Sequence, residues 1–132
     1  MEITSQLAIF LENKPGALGR VCETLLEDDI SILAVSVADG VDHAVVRLVV
    51  DAPSRAIHLL EERGILVSEN DVILLNAKNR NGMLLEVTRR LSRAKVNIEY
   101  LYFTVRSSQK VGVMVLRPSN VNKAVAALQD LG

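Results

Sequence analysis

Tryptophan is absent from this chain of 132 residues, and its aromatics are confined to Phe10, Tyr100, Tyr102 and Phe103. That scarcity counts against RNA recognition, which stacks bases on sheet aromatics. The run "VGVMVL", where such rings belong in an RNA-recognition fold, has none. A single cysteine, Cys22, leaves no partner for an internal disulfide. The two histidines, His43 and His58, fall on different predicted elements, and with one cysteine they give no metal-ligand spacing. No glycine-rich phosphate loop of the Walker or dinucleotide type occurs. Hydrophobic residues make up 49% of the chain, yet no apolar run approaches the roughly 18 to 20 residues of a membrane span. The N-terminus "MEITSQ" is neither basic nor followed by a signal-like core. These absences predict a cytoplasmic, non-enzymatic protein with no cofactor, no metal, no nucleic-acid partner and no membrane association.

What is present is unevenly distributed. Residues 1–66 carry five Lys or Arg against eleven Asp or Glu, a balance of −6, whereas residues 67–132 carry ten against five, a balance of +5. The run Arg89, Arg90, Arg93 and Lys95 forms a basic patch that a solvated helix face explains. Opposite halves attract one another, within a chain or between two copies.

Shifted by 66 residues, the chain falls on itself. Asn13 meets Asn79, Gly16 meets Gly82, Leu18 meets Leu84, Val21 meets Val87, Leu25 meets Leu91 and Ile32 meets Ile98. Turn residues and core-type residues recur together, which marks an internal repeat. The boundary is expected near Asn70, giving units 1–70 and 71–132. The first unit reads as a strand over Gln6 to Glu12, a helix opened by Pro15 or Gly16, a strand from Ile30 to Ala38, and a strand from His43 to Val50. A helix from Pro53 stopped by Gly64 and the strand "ILVSE" follow. This order is that of a ferredoxin-like βαββαβ unit of the α+β class, with an antiparallel sheet and helices on one face.

The second unit repeats the order with strand "DVILLNA", a helix from Gly82 to about Ala94, strand "VNIEYLYFTV", turn "SSQ", strand "VGVMVL" and a helix over Ser119 to Leu131. Gly132 stands where Gly64 stood, so this unit's last strand is missing from the sequence order. Apolar residues on both faces of "AVVRLVV" and "VGVMVL" predict further assembly, most simply a homodimer. The helical spacing of Cys22 beside Val21 predicts a buried structural thiol, with Leu26 also facing inward.

The chemistry concentrates at "ENKPGALG", Glu12 to Gly19. The first N–H groups of a helix lack internal partners and carry the positive end of its dipole. Glycine lets the backbone approach an anion closely, Pro15 presets helical φ, and the Asn13 amide both donates and accepts. Such a turn suits the carboxylate and ammonium of a zwitterion; it also makes a serviceable plain helix cap.

"NKPGALGRVCETLLEDDISI" closely resembles the signature of the ACT domain, Asn-x-Pro-Gly-x-Leu followed by a helix and a strand, and "NRNGMLLEVTRRLSRAKVNI" resembles it too. The likeness covers nearly the whole chain as two ACT units in tandem. It implies a non-catalytic regulatory protein that binds a free amino acid at interfaces between ACT units and acts on an amino-acid biosynthetic enzyme. The alternative is a regulatory or assembly subunit that binds its partner enzyme without a small ligand. By motif, the resemblance implies binding positions at Asn13, Pro15, Gly16, Ala17, Leu18 and Ser31 in the first unit, and at Asn79, Gly82, Met83, Leu84 and Asn97 in the second. It pairs Asn13 with an opposing Asn97 and Asn79 with an opposing Ser31, and backbone N–H groups at Gly16, Ala17 and Leu18, or Gly82, Met83 and Leu84, receive the carboxylate. Ser36, Asp39, Glu99 and Tyr100 are candidates for side-chain selectivity. Asn81 replaces the second turn's proline and Ser31 replaces an expected Asn, so the half-sites are not equivalent.

Overall fold

A computed structural model describes residues 1–78, 82–105 and 111–131. The elements are β1 (Glu2–Glu12), α1 (Ala17–Glu27), β2 (Ile32–Ala38), β3 (His43–Val50), α2 (Pro53–Glu62), β4 (Val67–Lys78), α3 (Met83–Arg93), β5 (Ile98–Val105), β6 (Val111–Pro118) and α4 (Val121–Ala127). The α+β class and the paired ferredoxin-like order are those of the sequence reading. The turn "SSQ" and Gly132 lie outside the described residues.

The chain forms two compact units, one of Ser5–Asn70 and the other of Met1–Thr4 with Asp71–Gly132. In the first, the strands run in the order β2-β3-β1-β4, and β3 pairs antiparallel with both β1 and β2. Period-two alternation sends Leu7, Ile9 and Leu11 of β1 and Val46, Leu48 and Val50 of β3 into one core with α1 and α2. In the second, β6 pairs antiparallel with β4 and β5. Ile73, Leu75, Met114 and Leu116 there meet Val87 and Leu91 of α3 and Ala124 and Leu128 of the α4 region. Its fourth strand position, vacant in the sequence reading, is beside β4, the strand next to β1; Met1–Thr4, the start of β1, belong to this unit.

Two further elements differ from their sequence reading. "ILVSE" and "DVILLNA" are one strand, β4, because no proline or glycine interrupts Val67 to Lys78. The last helix is shorter than Ser119–Leu131: the Asn120 side chain caps it by accepting from the Lys123 N–H at 3.0 Å, and regular helix ends at Ala127.

Helix α1 corrects the placement of Cys22, which is exposed rather than buried. The buried stripe is Ala17, Val21, Thr24 and Leu25. Each residue turns the helix by about 100°, so Cys22 rotates out from Val21, and Leu26 lies outside for the same reason. The inward polar position is Thr24, whose Oγ1 donates to the Arg20 carbonyl at 2.9 Å. The three long helices close with left-handed or near-helical caps. Asp29 (φ 56°) after α1 and Lys95 (φ 58°) after α3 are repeat twins in the same conformation.

Candidate ligand-binding site

Both motif glycines sit immediately before a helix in the left-handed region: Gly16 at φ 87°, ψ −11°, and Gly82 at φ 85°, ψ 5°. A residue with a Cβ costs roughly 1–2 kcal/mol in that conformation, which is why glycine is used at both. Neither helix start has a side-chain cap. An ordinary Ser or Asp cap lends its oxygen to the first free N–H groups; no side chain does so at either helix start. Ala17 N–H turns back to the Lys14 carbonyl at 3.4 Å, and the helical ladder begins with Arg20 N–H to Gly16 O at 3.1 Å. In the second unit it begins with Glu86 N–H to Gly82 O at 2.8 Å.

Asn13 braces the first turn. Its Nδ2 donates to Asp39 Oδ1 at 2.6 Å and to the Gly40 carbonyl at 3.2 Å, and its backbone N–H reaches the Asp42 carbonyl at 3.4 Å. The turn is thereby fastened to the β2–β3 hairpin, and the Asn13 Oδ1 remains as an acceptor. Gly40 leaves no room for a side chain, since a Cβ there would stand 2.3 Å from the His43 carbonyl oxygen. Beside the turn, Lys14 Nζ pairs with Glu12 at 2.7 Å. This hydrogen bond and the lysine's charge hold the Glu12 carboxyl below the ordinary glutamate range.

A small cleft of about 110 Å3 opens against this turn, lined by Leu11, Asn13, Ala17, Leu18, Val37 and Val46 among others. Three of the sequence-derived positions, Asn13, Ala17 and Leu18, therefore line one hollow, while Pro15 and Gly16 are exposed in the turn between them. Ser31 does not join them within the unit: it precedes β2, whereas Asn13 bonds the residues that follow β2. The Ser31 N–H donates to Asp51 Oδ1 at 2.9 Å, and at the twin position the Asn97 N–H donates to Ser119 Oγ at 2.9 Å. Both strand starts are fixed through their backbones, leaving the Ser31 and Asn97 side chains exposed.

Val37, Ala44 and Val46 are lining residues that the sequence reading missed. Strand register was the available signal. Ser36 pairs with Arg47, which places it on the face away from the helices, and Val37 pairs with the core residue Val46 on the cleft side. Phe103, the twin of Val37, pairs with the core residue Met114 in the same way. Tyr100 pairs with Arg117 on the opposite face.

The second turn is differently furnished. Met83 is buried and Leu84 exposed, while Asn79 and Asn81 lie outside the described residues. A groove of about 420 Å3 runs along Gly82, Leu85, Glu86, Arg89, Arg90 and Arg93. Within it Arg90 bonds Glu86 at 3.0 Å and the Gln129 carbonyl at 2.8 Å. Among the described residues no group of three or more His, Cys, Asp or Glu side chains could hold a metal ion. No described helix is long and apolar enough to cross a membrane.

A search of curated proteins finds no match. Among solved structures, a protein from Bacteroides thetaiotaomicron is 34% identical, with a TM-score of 0.90, over 97% of this chain and 88% of its own. The ligand-free regulatory subunit of aspartate kinase from Thermus thermophilus shares the fold at 17% identity and TM-score 0.70, covering 98% of this chain and 94% of that one. The regulatory subunit of aspartate kinase from Thermus flavus does so at 16% and 0.69, covering 98% and 95%. The profile of the ACT domain pair matches residues 1–130. With a glycine-opened helix recurring in each unit and that match along almost its full length, the chain belongs to the ACT domain pair family.

Proposed function

We propose that this protein is a non-catalytic sensor that binds a free amino acid and regulates an enzyme of amino-acid biosynthesis. The observation that carries the proposal is the repeated helix start opened by left-handed Gly16 and Gly82 with no side-chain cap, a terminus of the kind that receives a carboxylate. The first turn is the better equipped, because its cleft places the Asn13 amide beside the helix start. In this reading a homodimer in the cytoplasm brings Asn97 opposite Asn13, and Ser31 opposite Asn79, to complete the sites. The fold shared with aspartate kinase regulatory subunits supports a regulatory role.

Calorimetry against the twenty amino acids tests the proposal directly. One or a few are expected to bind, and saturation at a hundredfold over Kd raises stability by about 2.7 kcal/mol. Asn13→Ala is expected to weaken that binding about tenfold, in line with the loss of a buried or charged hydrogen-bond partner. Absence of any hit at millimolar concentration overturns the ligand reading in favour of an assembly module. That second reading has its own support in β2, an outer strand bearing exposed Leu33, Val35 and Val37. Sedimentation at micromolar concentration decides the dimer: a monomeric mass removes it from either reading.

A further inference from the structure

The first unit carries a second hollow that adjoins the Asn13 cleft and reaches away from Asn13 itself. It is a cleft of about 670 Å3 between Arg20, Val21 and Thr24 of α1, the Phe10–Glu12 end of β1, and the Arg63–Leu66 loop that follows α2. Small-molecule sites typically measure roughly 300–1,000 Å3. The far wall is fixed by the end of α2, where Gly64 N–H donates to Glu61 O and Ile65 N–H to Leu60 O, both at 3.0 Å. This closure satisfies the last helical carbonyls and turns Leu66 outward, leaving it 74% exposed. Phe10 stands at the opposite edge, 48% exposed.

The charges in this cleft are unequal in commitment. Lys14 is paired with Glu12 at 2.7 Å, which also neutralises the one carboxylate in the lining. Arg63 is held by Glu27 at 3.2 Å and by Thr24 Oγ1 at 3.4 Å. Arg20 has no ion pair or side-chain hydrogen bond among the described residues. A free guanidinium beside exposed apolar side chains, in a unit whose overall charge is acidic, is a local arrangement suited to one kind of ligand. Its planar fork matches a carboxylate or phosphate, which it binds through two parallel hydrogen bonds.

We propose that this cleft binds a small anion with an apolar or aromatic body, the acidic group on Arg20 and the body between Phe10, Ile65 and Leu66. The site adjoins the amino-acid turn, sharing Leu11, Glu12, Lys14 and Ala17 with its cleft, but it extends toward Arg63–Leu66 after α2, whereas the Asn13 cleft extends toward Val37. The full chain titrated at low salt with 8-anilinonaphthalene-1-sulfonate tests it by fluorescence. Saturable one-to-one binding is expected, weakened at least about tenfold by Arg20→Gln or Leu66→Asp, while Val37→Asp in the other cleft leaves it unchanged. Arg20 and Leu66 are both exposed, so an unaltered far-UV spectrum separates lost binding from lost fold. Benzoate and phenyl phosphate then compete with the probe. Displacement by either supports the site, and the stronger competitor names the acidic group. Non-saturable fluorescence, binding indifferent to both variants, or displacement by neither competitor overturns the proposal.

Discussion

The two helix starts share a glycine conformation but differ in the described residues around it. Gly16 and Gly82 differ by only two degrees in φ, yet the first turn is fastened to a hairpin through Asn13 and Asp39 and has acidic residues nowhere in its first helical turn. The second has Glu86 in that first turn, bonded to Arg90. A carboxylate near a helix N-terminus already takes some of the dipole's stabilisation, so the second turn is partly occupied by its own chain. Repetition has preserved the glycine conformation, while the described side chains differ, and under the proposed function the first turn is the receptive one.

The largest expected break in this comparison lies away from the turns. Gly112 occupies the position that Val46 fills in the first unit, and a Cβ there would stand 1.8 Å from the Thr104 carbonyl oxygen. Gly112→Val is expected to cost about 3 kcal/mol, the upper end of overpacking penalties. Urea unfolding followed by tyrosine fluorescence reads this selectively, because Tyr100 and Tyr102, the only tyrosines, are both in the second unit. The next effect concerns the turns themselves. Gly16→Ala and Gly82→Ala are each expected to lose about 1 kcal/mol from left-handed strain, measured by urea midpoint. Only Gly16→Ala is expected to impair amino-acid binding by calorimetry, and equal impairment by both removes the asymmetry drawn above.

The smallest effect is electrostatic. Lys14 lowers the Glu12 pKa from the ordinary 4.5, so the folded state binds that proton less readily than the unfolded state. The stabilisation is therefore present above the ordinary glutamate value and is lost as pH falls through the lowered folded value. Lys14→Met is expected to return the Glu12 midpoint upward, as read by carboxyl chemical shifts, with little change in overall stability because the pair is exposed.

Much of this was legible in the sequence because turn chemistry and periodicity are local. Gly16, Gly82, Pro53 and the β3 strand from His43 to Val50 announce themselves through conformation-specific residues and alternation. Cys22 was misplaced because its neighbours are apolar on more than one side of α1, and only packing chooses the stripe through Thr24. The cleft residues Val37 and Val46 were hidden for a related reason: cross-strand register, which sets the face of every residue, depends on a partner strand many residues away. The Asn13–Asp39 bond spans 26 residues and has no local signature at all.

The uninterrupted β4 strand has a consequence for anyone handling the gene. The border between the units, at Asn70 and Asp71, falls inside hydrogen-bonded strand rather than in a linker. The sequence repeat therefore does not coincide with a place where the polypeptide can be cut. Excising residues 71–132 removes the second unit from Met1–Thr4, and trimming those four residues alters a unit whose remaining sequence begins at Asp71. Duplication has produced two copies of a pattern, but the second copy takes Met1–Thr4 from outside its own stretch of chain.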